Sequence, residues 1–200
     1  IVLIAIMIYS INTIIKLHKI QEFNRQIIAI SETLKQQDIE KKEKIKQEKD
    51  NQFSQMKDEI KKIYKSDTKR AFLTFDDGPS KNTESILNTL NNYGIKANFF
   101  VLGTRVEAMP EVIKSIYSQG HFIGNHGYSH SYSQIYSSPQ SVLDEYNKTN
   151  QLIANAIGDP GYNSHLFRFP GGLAGGVYAS IKNQAEQLLE ENYILNIDWN

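Results

Sequence analysis

Residues 71–79 read Ala71-Phe72-Leu73-Thr74-Phe75-Asp76-Asp77-Gly78-Pro79, and this order decides how the rest of the chain is read. The apolar run 71–75 predicts a short buried strand. Two adjacent carboxylates follow at its C-terminal end, and Gly78-Pro79 turns the chain away. Downstream, apolar runs keep alternating with amphipathic stretches. Ile86, Leu87 and Leu90 share one face of a helix predicted over 82–93, and ANFFVL (97–102) predicts the next strand. Pro110 opens a helix over 110–117, because proline suits a first helical turn. HFIGN (121–125), HLFRF (165–169) and YILNI (193–197) predict three further strands, and helices are predicted over 139–157 and 181–191. Strand and helix in this alternation predict an α/β fold, a parallel sheet or barrel.

Three polar clusters fall at predicted strand ends, where barrels of this class carry their chemistry. Asp76 and Asp77, as neighbours at a strand end, project in different directions and can take separate tasks; alone, the segment also fits an Asp-Gly turn with two solvated acids. His126 and His130, in His126-Gly127-Tyr128-Ser129-His130, can meet one metal ion if the segment is helical or tightly turned, although such pairs also arise by chance. One Asp and two His leave coordination positions open, which is the pattern of a catalytic rather than a closed structural site. Arg168, in Arg168-Phe169-Pro170-Gly171-Gly172, can hold a carboxylate through paired hydrogen bonds. The two glycines let a ligand approach the backbone N–H groups; alone, the segment also fits a glycine-rich turn with a surface arginine.

The chain upstream of this pattern is different material. Residues 1–15, IVLIAIMIYSINTII, carry no charge. As a helix they span about 22 Å at ~1.5 Å per residue, slightly short of the roughly 20 residues that cross a bilayer. No small-residue cleavage site follows, so an uncleaved membrane anchor over 1–17 is favoured over a signal peptide and over a buried soluble helix. Lys16, Lys19 and Arg25 follow the span and slightly oppose an external C-terminus under the positive-inside rule, but the flank expected to balance them precedes Ile1, and a single-pass anchor with the C-terminal domain outside the cytoplasm is the expectation. Residues 18–66 are dense in charged and amide side chains, contain no Gly or Pro, and predict a solvated, partly helical stalk. Phe53, Met56, Ile60 and Ile63 keep a 3-4-3 spacing that allows a weak stalk-mediated dimer. The whole chain holds 22 basic and 22 acidic residues and no cysteine. Balanced charge gives no reason to expect nucleic acid, and disulfides and thiolate metal sites are excluded.

Taken together and in order, TFDDGP, H-x-x-x-H and RFPGG resemble the polysaccharide deacetylases of carbohydrate esterase family four, which share the NodB-homology domain. The resemblance covers about 67–200. GNHGYSH, IYSSP, LFRFPGG and YILNIDWN are most similar to the cell-envelope peptidoglycan deacetylases of Gram-positive bacteria. It implies a distorted (β/α) barrel, and it implies roles: Asp76 as catalytic base, Arg168 as the arginine that orients it, and Asp77, His126 and His130 as ligands of one divalent metal ion. Zinc is the first expectation, with cobalt, nickel or manganese as alternatives. Pro170 and Gly171 are expected at the substrate, Gly171 where many members have tyrosine and where a backbone N–H binds the oxyanion. The implied activity is hydrolysis of N-acetyl groups on an envelope glycan, peptidoglycan GlcNAc first, chitin-like oligomers or acetylated xylan next. A tethered glycan-binding or scaffold protein with a decayed catalytic domain is the competing class. Gly127 departs from the Ser or Thr that usually braces the histidine loop. The family also continues beyond Asn200 to an acidic partner of the arginine and a histidine acting as general acid. The chain is therefore expected to be cut short at both ends, and to continue by roughly 50 to 70 residues, two or three βα units. His121 and His165 read as ordinary, partly exposed residues.

Overall fold

A computed structural model describes residues 2–65 and 67–199. The chain divides into two compact units, 1–65 and 66–200. The first is one uninterrupted helix, α1 (Val2–Tyr64), where the sequence predicts an apolar helix and a partly helical stalk. No Gly or Pro breaks it, and i,i+4 pairs such as Lys42–Asp38 at 2.7 Å support its polar half. Near its N-terminus it is long and apolar enough to cross a membrane. Two polar side chains there bond back onto the helix: Ser10 Oγ donates to the Ile6 carbonyl and Thr13 Oγ1 to that of Tyr9, both at 2.9 Å.

The second unit is a parallel five-stranded sheet in the order β1-β2-β3-β4-β5. Its strands are β1 (Thr74–Gly78), β2 (Asn98–Val101), β3 (Phe122–Asn125), β4 (Leu166–Phe167) and β5 (Leu195–Asn196). The connecting helices are α2 (Thr83–Asn92), α3 (Gly103–Ala108), α4 (Pro110–Ser118), α5 (Tyr132–Ile135), α6 (Pro139–Ile157) and α7 (Ala179–Glu191). Sequential parallel neighbours joined by helices are the wall topology of a (β/α) barrel. All strand C-termini therefore lie along one rim, which is what gathers the three polar clusters.

Two apolar clusters hold the sheet. Leu87, Phe99, Val101, Ile113, Ile116, Ile123 and Ile153 form one, and Tyr136, Val142, Tyr146, Phe167, Phe169 and Leu189 form the other. Each such side chain stabilises by about 1.5–3 kcal/mol on burial. Helix α6 serves both clusters, Ile153 at one end and Val142 and Tyr146 at the other. Its limits follow from local chemistry: Ser138 Oγ accepts from the Ser141 N–H, Pro139 starts the first turn, and Gly158 at φ 74° ends it.

The predicted strand 71–75 is displaced. Phe72 and Leu73 are exposed, and pairing begins at Thr74, so the strand runs through both carboxylates to Gly78. Helix α3 was not anticipated, since its glycine start and short length give little periodicity. The strands predicted over 165–169 and 193–197 shrink to two residues each. Single bonds extend them: Arg168 N–H to the Asn125 carbonyl and Ile197 N–H to that of Phe167, both at 2.9 Å.

His121 is buried, not partly exposed. Its Nδ1 accepts the Ala97 N–H at 3.2 Å, and its ring edge meets Phe99 at 5.5 Å between centroids. Burial, helped by the charge of Lys96, lowers its pKa from 6.5. The unfolded chain thus takes up the proton first as pH falls, so stability is full above about pH 6.5 and declines below it. His121→Asn keeps an acceptor for Ala97 and removes the titration. Urea unfolding followed through Trp199 should show a shallower loss of stability from pH 7 to pH 5 in that variant; identical slopes would remove His121 from the acid response.

Candidate metal centre

The two carboxylates at the end of β1 are separated by a backbone irregularity. Asp76 pairs with Phe100 and Gly78 with Val101, so Asp77 is an extra residue in a bulge, with φ at 64°. A bulge re-aims a side chain. Asp76 points toward Arg168, whose Nη1 donates to Asp76 Oδ1 at 2.8 Å. Asp77 is 62% exposed and turns toward two histidines: its Oδ1 lies 3.5 Å from His126 Nε2 and 3.3 Å from His130 Nε2.

His126 follows β3 directly and is buried. Its Nδ1 lies 2.7 Å from the Arg168 carbonyl. A carbonyl only accepts, so Nδ1 carries the proton and the Nε2 lone pair faces Asp77. Burial is the leading influence on this ring and lowers its pKa from 6.5. A lone pair facing a carboxylate oxygen is unfavourable unless a cation lies between them. One ligand atom from each of Asp77, His126 and His130 can be chosen so that all lie within 4.8 Å of one another. For tetrahedral bonds of about 2.1 Å the ligand atoms stand about 3.4 Å apart, close to the 3.3 and 3.5 Å observed. The three residues fit a divalent ion.

The segment 126–130 is a tight turn, not a helix. Gly127 has φ 83° and His130 φ 55°. The brace absent at Gly127 comes from elsewhere. Glu145 Oε2, from α6, accepts the N–H groups of Tyr128 at 2.8 Å and Ser129 at 3.1 Å, and its Oε1 accepts the Ser129 hydroxyl at 2.6 Å. Asn125 Oδ1 accepts the Gly127 N–H at 2.9 Å, and Thr149 Oγ1 donates to the Gly127 carbonyl at 3.0 Å. A Cβ at Gly127 would lie 2.8 Å from Ile135 Cδ1 and 3.1 Å from Glu145 Oε2, so a larger residue would disturb that brace. The sequence reading passed over Glu145. The available signal was a carboxylate set between Val142 and Thr149 on the buried face of a helix.

Arg168 is buried and satisfied on several sides. Besides Asp76 it donates to Thr74 Oγ1 and, through Nε, to the Ile197 carbonyl, both at 2.9 Å. Its guanidinium lies 4.0 Å over the Phe100 ring. Pro170 is buried, and its carbonyl accepts the Tyr136 hydroxyl at 2.6 Å. Gly171 is exposed, with φ 75°. A Cβ there would collide with the Tyr132 hydroxyl, and the Tyr132 ring lies 5.8 Å from that of His130. Tyr132, also overlooked in the sequence, thus links Gly171 to the triad. Lys182 Nζ, donating to the Gly172 carbonyl at 2.7 Å, and Asp198 Oδ2, accepting the Leu173 N–H at 2.9 Å, hold the glycine loop.

If the triad binds a divalent ion, Asp77→Ala with His130→Ala should abolish zinc uptake in equilibrium dialysis. Glu145→Ala should weaken uptake on the order of 10- to 100-fold, as loss of groups that orient ligands does. Full zinc occupancy in the double variant would exclude the triad, and unchanged affinity in Glu145→Ala would exclude the brace.

Residues 63–189 match the family model described as polysaccharide deacetylase. A peptidoglycan-N-acetylglucosamine deacetylase of Bacillus cereus is 37% identical over 116 residues, 58% of this chain and 41% of the relative. The peptidoglycan-N-acetylmuramic acid deacetylase PdaC of Bacillus subtilis is 34% identical over 164 residues, 78% of this chain and 32% of the relative. The chain spans less than half the length of these curated relatives. Among solved structures, the catalytic domain of a peptidoglycan N-acetylglucosamine deacetylase from Eubacterium rectale is similar at a TM-score of 0.60 and 33% identity, over 68% of this chain and 64% of that one. The polysaccharide deacetylase Bc1974 from Bacillus cereus is similar at a TM-score of 0.57 and 34% identity, over 66% and 61%. With the family model matched across most of its length, and its parallel α/β unit shared with these structures, the chain belongs to the polysaccharide deacetylase family, the NodB-type carbohydrate esterases of family four.

Proposed function

We propose that this chain is a membrane-tethered, metal-dependent hydrolase that removes N-acetyl groups from an envelope glycan, with the GlcNAc units of peptidoglycan as its substrate. The observation that carries the reading is the convergence of Asp77, His126 and His130 beside the Asp76–Arg168 pair on one rim of the sheet. The names of the relatives, which act on peptidoglycan GlcNAc or muramic acid, support the substrate class.

Asp77, His126 and His130 would hold the ion, zinc by its N/O donor set, and the ion supplies Lewis acidity toward the acetamide carbonyl and the attacking water. Asp76 accepts the proton of that water. The hydrogen bond from Arg168 Nη1 holds one oxygen of Asp76, so its other oxygen is the one free for the proton. The Arg168 carbonyl keeps the proton of His126 on Nδ1 and reserves Nε2 for ligation. The Gly171 N–H donates to the oxyanion that develops as the carbonyl becomes tetrahedral.

Three segments share the work in this reading: an anchor over 1–17, a stalk over 18–66 and the deacetylase unit over 67–200. In the anchor the backbone beyond the first turn bonds within the helix, and Ser10 and Thr13 are bonded to it as well. That is the condition hydrocarbon imposes. A helix of 63 residues is about 95 Å long at ~1.5 Å per residue.

Two measurements test this reading. Acetate release from GlcNAc oligomers or peptidoglycan strands should require added zinc. Asp76→Asn should keep zinc and lose turnover by roughly 10²- to 10⁴-fold. Near-normal turnover in that variant would give the base to another group, and failure of the wild type to bind zinc would favour the scaffold reading. Separately, the chain should float with membranes, and protease added to intact cells should cut the exposed non-helical stretch 67–73; protection until lysis would put the deacetylase unit inside.

A further inference from the structure

The cleft beside the triad carries a charged group that the reaction does not use. Its volume is about 450 Å³, and it is lined by Asp77, Leu102, Thr104, Arg105, Ser129 and His130. Small-ligand clefts run from roughly 300 to 1,000 Å³, so this one has room for more of a glycan than an acetamide. Of the six residues Arg105 alone carries a permanent positive charge. Among the described residues it joins no ion pair.

Arg105 is also held in register with the triad. The Gly103 N–H donates to the Gly127 carbonyl at 3.0 Å, and the Thr104 N–H to the Tyr128 carbonyl at 3.1 Å. A side chain at 103 would collide with Tyr128 and Thr149, so the start of α3 lies flat against the histidine turn. Arg105 is the next residue, and the bonds that shape the turn also set its distance from His130.

We propose that Arg105 forms a subsite for a carboxylate on the glycan, carried by the sugar next to the one that is deacetylated. The inference rests on the deacetylase reading and narrows its substrate to an anionic strand. A guanidinium fork matches a carboxylate through two parallel hydrogen bonds. A strand of alternating GlcNAc and lactyl-bearing sugars presents a carboxyl beside every GlcNAc, free or extended by a stem peptide; a neutral GlcNAc oligomer presents none.

The test is binding by the full chain in detergent micelles with zinc supplied, read by calorimetry, so it does not depend on turnover. Three glycans of equal length are compared: a neutral GlcNAc oligomer, a peptidoglycan strand trimmed to its lactyl carboxylates, and a strand with stem peptides intact. The wild type should bind a carboxylated strand about tenfold more tightly than the neutral one, the scale of a charged hydrogen bond, and the advantage should shrink in high salt. Arg105→Gln should remove the advantage and Arg105→Lys should retain part of it, with circular dichroism checking that each variant is folded. An Arg105-dependent advantage confined to strands with stems supports the subsite and assigns the carboxylate to the stem. Equal wild-type affinity for charged and neutral strands, or an advantage that survives Arg105→Gln, overturns the proposal. Acetate release tests the deacetylase reading separately, so failure of one is distinguishable from failure of the other.

Discussion

The buried guanidinium of Arg168 is the contact on which the rim of the sheet depends. It joins Thr74 and Asp76 of β1 to the Ile197 carbonyl just past β5, while its own carbonyl fixes the ring of His126. One residue therefore ties both edge strands together and orients two of the five polar side chains expected to carry chemistry. Removing one partner of a buried pair typically costs roughly 3–5 kcal/mol; partial exposure of Asp76 puts this pair toward the lower end. The placement of Arg168 follows from β4, where the neighbouring Phe167 and Phe169 are fully buried and leave the arginine to face the interior of the rim.

Around that contact the backbone is forced into conformations that ordinary residues avoid. Asp77 and His130, both non-glycine, adopt left-handed φ values of 64° and 55°. Such positions cost on the order of 1–3 kcal/mol each and persist only when the surroundings over-determine them. For Asp77 the surroundings are the paired residues on either side of the bulge. For His130 they are the three hydrogen bonds to Glu145 and the bond from Thr149 to the turn. Helix α6 thus has two duties: its apolar face joins the two core clusters, and its polar positions on the same side shape the histidine turn.

The first unit answers to different physics. Helix α1 buries almost nothing, so its helicity rests on intrinsic propensity and on i,i+4 pairs, with hydrocarbon as the proposed surrounding of its N-terminal part.

By itself the sequence determined the class of fold, since alternating apolar runs and amphipathic stretches specify a parallel α/β sheet whatever the details of packing. It also marked Asp76, Asp77, His126, His130 and Arg168 as residues that should converge, because all follow or flank strands whose C-termini must share a rim. The limits of the strands escaped it: Phe72 and Leu73 read as buried but have no sheet face to cover them, and the two-residue β4 and β5 are extended by bonds that depend on neighbours far along the chain. The burial of His121 and the positions of Glu145 and Tyr132 were decided only in the tertiary structure. Each of these side chains has partners distant in sequence, as Glu145 does at Tyr128 and Ser129, His121 at Ala97 and Tyr132 at Gly171. A periodic pattern records which face of an element is apolar, but which distant backbone group waits there is settled only when the elements pack.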